Sequence, residues 1–308
     1  MVAAGTVPPA PAAPCGGSHR PAARTRPGEP AITGPIVRSR REGMKSPTYI
    51  TTSWDDGHPM DLRVAALLAK YGIAGTFYVP ASTGLETMSA AQFRELIPDF
   101  EIGAHTLHHV DLTGVSDRTA WQEIADSKAW VEDNTGVSCA CFCPPRGRYE
   151  SLHLDMIRNA GYLGLRSVEL LSLDFPRRQA GLMLMPTTVQ AFPHRFLAFA
   201  KNSIKRKVLP NLWRYIIHGR ATEWPVMAES LLRHAITRGG VFHLWGHSWE
   251  LQDAVQWQRL KDVLCLLGGF VRHAPALTNG QLCRVSMPPV TTVLDHSAQA
   301  AKTAAPGG

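Results

Sequence analysis

The chain has 308 residues, enough to bury a large core, with 44% apolar and 19% charged residues, the balance of an ordinary globular protein rather than a disordered or fibrous one. Its net charge of +7 is concentrated at the N-terminus: residues 1–45 hold seven Lys and Arg against Glu29 and Glu42, a net of +5, which leaves the rest at +2. That distribution argues against a dedicated nucleic-acid binder, and no run of about 18 apolar residues marks a membrane span.

Residues 1–46 form a basic tail rich in Ala and Pro. It has too few aromatic and long aliphatic side chains to offset its ordering entropy and is expected to be disordered. Met44 offers an alternative start that would leave the first 43 residues untranslated. The N-terminus lacks the apolar core of about 7–15 residues that a signal peptide needs. The six cysteines, Cys15, Cys139, Cys141, Cys143, Cys265 and Cys283, resemble no secreted disulfide framework. Cys139, Cys141 and Cys143 alternate in one strand-like segment and so share a face, and a zinc reading of them lacks a second cluster. Reduced structural thiols in a cytoplasmic protein are expected.

The foldable sequence opens with an apolar, β-prone run over 49–54 that ends in Asp55, Asp56 and Gly57. Asp and Gly favour turns, so a plain strand end is one reading. Two like charges side by side also repel and cost desolvation, and a cation or a reaction gives such a pair a reason to persist. Asp61 can cap a helix in which Val64, Leu67, Leu68 and Tyr71 recur at helical spacing until Gly72 stops it. A buried strand over 75–79 ends at Pro80; a short helix over 89–96 and a strand over 101–104 follow. That strand runs into His105, Thr106, Leu107, His108 and His109. A helix from Ser116 or Asp117 closes at Gly136, and the cysteine strand then leads into Pro144, Pro145, Arg146 and Gly147.

The spacing next predicts a helix over 151–160, a strand over 163–168 and another over 183–190. Residues 194–220 mix Phe196, Phe199, Leu212, Trp213 and Ile216 with many bases. A membrane-surface helix or a partner site would fit, but a helix packed on a barrel with a solvated basic face is preferred. A helix over 223–238 precedes a strand over 241–245, which runs into Gly246, His247, Ser248, Trp249 and Glu250; a last helix covers 253–267. The folded unit is expected over 47–286, followed by a flexible tail over 287–308. Strands alternating with helices imply an α/β fold with a parallel sheet, wound into a barrel or an open layer. Each polar cluster follows a strand, where (β/α) barrels keep their active sites.

His105 and His109 are four residues apart, so on a helical turn both imidazoles would face one way, with His108 as an alternative partner. Two histidines and a carboxylate from another loop suit a divalent cation, zinc first and other first-row ions next. The two adjacent carboxylates then divide into a metal ligand and a base that takes a proton from water activated by the metal. A late histidine such as His247 could protonate the leaving group.

These motifs resemble those of the polysaccharide deacetylase family (carbohydrate esterase family 4), which are distorted (β/α) barrels acting as metal-dependent amidases. The family's Thr-Phe-Asp-Asp-Gly is similar to Ser53, Trp54, Asp55, Asp56 and Gly57, and its His-Ser/Thr-x-x-His is matched by His105 through His109. The resemblance implies Asp55 as the base and Asp56, His105 and His109 as metal ligands. The third motif, Arg-x-Pro-Tyr/Phe-Gly, reads Cys143, Pro144, Pro145, Arg146 and Gly147, so its arginine is missing. Arg146 is the expected substitute and its N–H the expected oxyanion donor. The fourth motif is not recognisable, with Asp174 the nearest candidate for orienting the acid. The fifth motif's histidine is read as His247 rather than His243, and Trp249 could line a sugar face. The function implied is hydrolysis of an N-acyl group, N-acetyl first, from an amino sugar or conjugate in the cytoplasm. The alternatives are a linear or cyclic amide, as in allantoinase-like relatives, or a carbohydrate-binding pseudoenzyme.

Overall fold

The computed structural model describes residues 46–194, 196–218 and 223–287. The expected terminal tails and the alternative start at Met44 lie outside the described residues. Among them, β1 (Thr48–Asp55) is the centre of the sheet, hydrogen-bonded in parallel to β2 (Thr76–Val79) on one side and to β9 (Gly240–His247) on the other. Outward from β2 come β3 (Glu101–Ala104), β4 (Cys141–Phe142), β5 (Gly164–Arg166), β7 (Leu182–Met185) and the antiparallel β6 (Arg177–Gln179). The short β8 (Val189–Gln190) flanks β9. The single strand predicted over 183–190 is therefore two, and Pro186, which cannot donate to a ladder, sits where it breaks.

The sheet curls into a distorted, incomplete (β/α) barrel. Its open side is bridged by irregular backbone after β5: Thr187 N donates to Glu169 O (2.8 Å), Leu171 N to Thr188 O (2.9 Å) and Val241 N to Leu173 O (2.8 Å). Helices cover the outside: α1 (Asp61–Tyr71), α2 (Ala90–Leu96), α3 (Asp117–Thr135), α4 (Ser151–Asn159), α7 (Trp224–Arg238) and α8 (Ala254–Phe270). Gly72, at φ 67°, and Gly136, at φ 70°, end α1 and α3 as their sequence suggests. Asp61 is not a cap. It lies inside the first turn of α1, fully buried.

Two apolar cores result. The larger lies between sheet and helices around Trp54, Leu68, Phe77 and Leu264. The smaller fills the barrel and contains Tyr78, Cys141, Cys143, Met183, Met185 and Cys283, so only two of the three alternating cysteines share a face. Cys139 turns into the larger core, because the strand is only two residues long. These four thiols are free and buried, whereas Cys265 is disulfide-bonded, which corrects the expectation that the cysteines are all reduced. The bottom of the barrel is plugged by α9 (Asn279–Ser286), which the sequence reading missed. Its Asn279 accepts from the Tyr78 hydroxyl (2.8 Å) and donates to Thr51 Oγ1 (2.8 Å). The capping box of Thr278 and Gln281 was the available signal.

The stretch over 194–220 forms two helices, α5 (Phe196–Lys205) and α6 (Leu209–His218). Their inner faces bury Phe199, Ser203, Asn211 and Tyr215, but the outer faces are not simply a solvated basic surface. Leu197, Ile204, Trp213 and Ile217 are each about 60% exposed or more.

His243, inside β9, is a core residue. Its Nδ1–H donates to Pro186 O (3.0 Å) and its Nε2 meets Ser53 Oγ (2.9 Å). Burial, reinforced by the Arg166 charge, pushes its pKa down from 6.5 to about 3. The unfolded chain therefore binds a proton below about pH 6.5 that the native state refuses until about pH 3, so this residue's contribution to stability is intact above 6.5 and is lost as pH falls. Between pH 7 and pH 5 the wild type should lose about 2 kcal/mol more than a His243→Gln variant in urea unfolding. Parallel slopes for the two proteins would remove His243 as the cause.

Candidate active site and metal centre

The site forms where five strand ends meet. β1 delivers Asp55 and Asp56, β3 leads into His105 and His109, β4 into Cys143, β5 ends in Arg166 and β9 ends in His247. The β1–β9 register sets Asp55 directly beside His247. All these ends are the C-terminal ends of parallel strands, which is why residues far apart in sequence converge. Gly57 makes the exit from β1 possible: at φ 63° it occupies left-handed space, and a Cβ there would run into the Val79 side chain.

Asp55 and Asp56 are only 3% and 5% exposed, so each charge needs compensation. Asp56 Oδ1 lies 3.1 Å from His109 Nε2 and 3.4 Å from His105 Nε2, and Asp56 Oδ2 accepts from Trp249 Nε1 at 2.8 Å. The tautomer of His105 is fixed, because its Nδ1 is 2.6 Å from the Cys143 carbonyl, which can only accept. Its Nε2 therefore presents a lone pair to Asp56 Oδ1, itself a buried atom without a hydrogen-bond donor. Acceptors facing one another at this distance are mutually repulsive unless a cation lies between them. The donor set of one carboxylate and two imidazoles fits a divalent first-row ion.

The histidines do not reach this point along a helix. The segment after β3 is irregular, and Thr106 (φ 59°), His109 (φ 54°) and Asp56 (φ 79°) all occupy left-handed backbone space that costs non-glycine residues energy. His108 faces the other way, its backbone N–H and its Nδ1 both 2.8 Å from the Glu123 carboxylate on α3. It is not in the cluster.

Asp55 is held by a different residue from the one expected. Arg146 is exposed on the 3-10 turn after β4, at φ 58°, and the guanidinium on Asp55 Oδ2 belongs to Arg166. Arg166 is fully buried and lies over the Trp245 and Tyr78 rings, 4.7 and 5.3 Å from their centroids. The β4–β5 register pairs Phe142 with Leu165, so one step further Cys143 and Arg166 are neighbours across adjacent strand ends. The guanidinium therefore comes from one strand over from Cys143, where the motif resemblance placed an arginine. Cys143 Sγ lies 4.0 Å from Asp55 Oδ2. A second triplet of possible ligands, Asp55, His105 and Cys143, is also close-set. Burial, with the negative charges of Asp55 and Asp56, drives the Cys143 thiol well above its ordinary range, so it stays protonated and ligates poorly. Asp55 Oδ1 is buried without a partner, so it is the carboxylate oxygen left open.

His247 Nε2 is 4.0 Å from both Asp55 Oδ2 and Asp56 Oδ2. Its Nδ1–H donates to Glu250 Oε2 (2.8 Å), which also accepts from Gln190 Nε2 (3.0 Å). Burial opposes protonation, but the Glu250 bond and the charges of Asp55, Glu250 and Asp56 outweigh it and push the pKa up to about 9. Asp174, the sequence candidate for orienting this histidine, instead pairs with Arg214 at the surface (3.1 Å). Glu250 takes that place three residues along the chain, a spacing that was readable. Behind the site lies Asp61, whose carboxyl is driven up by burial, with the Ser248 hydroxyl beside it and the charges of Asp56 and Asp55 adding to the shift.

Residues 42–165 match the family model for polysaccharide deacetylases. Among solved structures, a Mycobacterium smegmatis protein assigned as a polysaccharide deacetylase superposes with a TM-score of 0.55 at 14% identity, over 80% of this chain and 92% of that one. A chitin deacetylase from the fungus Colletotrichum lindemuthianum superposes with a TM-score of 0.50 at 13% identity, over 77% and 88%. At such identities the likeness is one of fold. No curated protein matches the chain.

The geometry around Asp56 leads to a metal-binding prediction. Titration of metal-free protein with Zn²⁺ should give one site and a rise in melting temperature. Asp56→Asn should abolish it, and Trp249→Phe, which removes only the N–H on Oδ2, should weaken affinity by about 10–100-fold. Undiminished binding by Asp56→Asn would place the cation elsewhere.

Proposed function

Because residues 42–165 match the polysaccharide deacetylase model, we propose that the chain belongs to that family and hydrolyses an N-acyl group, N-acetyl first, from an amino sugar or sugar conjugate. One observation carries this reading: of two adjacent buried carboxylates, one faces two imidazoles and the other has a single oxygen pinned by an arginine. That asymmetry supports Asp56, with His105 and His109, as the holder of a divalent ion and Asp55 as a base. Zinc is the first choice, though the donor set accepts several ions. The bound cation would supply Lewis acidity, polarising the amide carbonyl and lowering the pKa of water towards about 7.

The chain's own residues do the rest. Asp55, held through Oδ2 by Arg166, takes a proton from the attacking water on Oδ1. The Arg146 N–H, on the turn after β4, is the proposed donor to the oxygen that gains charge as water adds to the carbonyl. His247, held in place by Glu250, gives the Nε2 proton to the departing nitrogen, so the C–N bond breaks to an amine and a carboxylate. Its raised pKa suits an acid that must be charged at neutral pH before the reaction. Trp249 keeps its N–H on Asp56 while its half-buried ring offers a sugar face. A cyclic amide substrate uses the same chemistry, and the pseudoenzyme alternative loses its ground, a missing third-motif arginine, once Arg166 stands on Asp55.

Acetate release from N-acetylglucosamine oligomers and conjugates, run beside ring opening of cyclic amides, tests this function. Asp55→Asn should lower kcat by about 100-fold or more in protein that still binds metal. Full activity in that variant would end the proposal. Arg166→Met should cost a similar factor, and adding Cys143→Arg in the same chain should recover part of it by restoring a guanidinium from the adjacent strand end.

A further inference from the structure

Between Asp174 and Glu223 the sequence holds nine Lys and Arg and no Asp or Glu, so the other 260 residues of this +7 chain are net −2. This one segment therefore carries more than the whole net charge, and it contains the helical hairpin α5–α6. Along α5 the exposed positions are Phe196, Leu197, Lys201, Ile204 and Lys205, the last four spaced i, i+4, i+7 and i+8 on one face. Along α6 they are Pro210, Trp213, Ile216 and Ile217, another single face, with the exposed Lys207 on the turn between. Leu197, Ile204, Trp213 and Ile217 are 65%, 66%, 62% and 59% exposed. Among the described residues no ion pair engages Lys201, Lys205 or Lys207.

The exposed face does not come from a hairpin lacking an inner attachment. Asn202 donates to Val168 O (2.7 Å) and accepts from Leu170 N (3.1 Å), and Asn211 donates to Glu169 Oε1 (3.2 Å) and Leu170 O (3.0 Å). Arg206 bonds the carbonyl of Gly147 in the turn after β4. The hairpin is thus fixed to the rim of the candidate site, two residues beyond Arg166, and its opposite side is left with aliphatic groups, an indole and ammonium groups. Aliphatic and indole groups favour the boundary between headgroups and acyl chains, and ammonium groups favour anionic headgroups. No helix of the described residues is long and apolar enough to cross a membrane, so such a surface would lie on a bilayer rather than through it.

We propose that the outer face of α5–α6 docks the protein on an anionic lipid bilayer, with the candidate site at the edge of the contact. None of the residues involved takes part in the proposed hydrolysis, so this inference stands or falls by itself. The test is sedimentation of the full chain with phosphatidylcholine vesicles, with and without about one third phosphatidylglycerol; the anionic vesicles should bind about tenfold more tightly or better. Trp213→Ser with Ile217→Ser, and separately Lys201→Glu with Lys205→Glu, should each remove most of the binding while leaving the melting temperature and turnover of a soluble substrate unchanged. Absence of vesicle binding would overturn the proposal. So would binding that survives both double variants, which would assign it to the basic N-terminal segment. A concentration-dependent dimer lost with Trp213→Ser, or salt-sensitive binding of an oligonucleotide without vesicle binding, would likewise assign the face to another partner and overturn it.

Discussion

Two carboxylates on consecutive residues, both nearly out of contact with solvent, set the problem that the rest of the site solves. Left alone, Asp55 and Asp56 would repel each other and take up protons. A guanidinium on Asp55 and an indole N–H on Asp56 meet part of each charge separately, and the two imidazoles beside Asp56 Oδ1 complete a donor set for a cation there. Separate treatment is what makes the pair useful. Were one cation shared between them, neither could act as a base while the other held an ion. The pair Arg166–Asp55 is buried completely, and removing one partner from such a pair typically costs about 3–5 kcal/mol, so the fold and the site are coupled through it.

The contiguous parts of this arrangement were legible in the sequence. Asp55, Asp56, His105 and His109 come in short runs at strand ends, and the alternation of strands and helices gave a parallel sheet, barrel or open layer, with the motif resemblance pointing to the barrel. The reason they converge was not legible: the spacing of His105 and His109 suggests a helical turn, whereas the chain bends through left-handed residues. Arg166 was invisible for a plainer reason. It lies 111 positions from Asp55, at the end of a three-residue strand, and only the lateral register of β4 and β5 brings it to the carboxylate. Glu250 and α9 were readable in principle, one from its spacing to His247 and the other from its capping box, but both are weak signals in isolation. Net charge misled in a different way: counting the tail against the body concealed that one run of the body, between Asp174 and Glu223, holds nine bases and no acid.

Cys143 stands where the motif resemblance leads one to expect an arginine, and the presence of Arg166 beside it bears on what such a site requires. A carboxylate base buried at a strand end needs a positive charge at one oxygen, held rigidly enough that the other oxygen stays available. It does not need that charge to come from a particular strand. Neighbouring parallel strands bring side chains at the same level to within a few ångströms of each other, since strands lie about 5 Å apart. An arginine one strand over can then approach the same oxygen from the side, here lying over the Tyr78 and Trp245 rings. Position 143 must then be filled by something small and uncharged, because a second guanidinium would crowd the first. A buried thiol kept protonated by its surroundings meets both conditions. Cys143 and Arg166 together therefore leave a single positive charge on Asp55 Oδ2, delivered from β5.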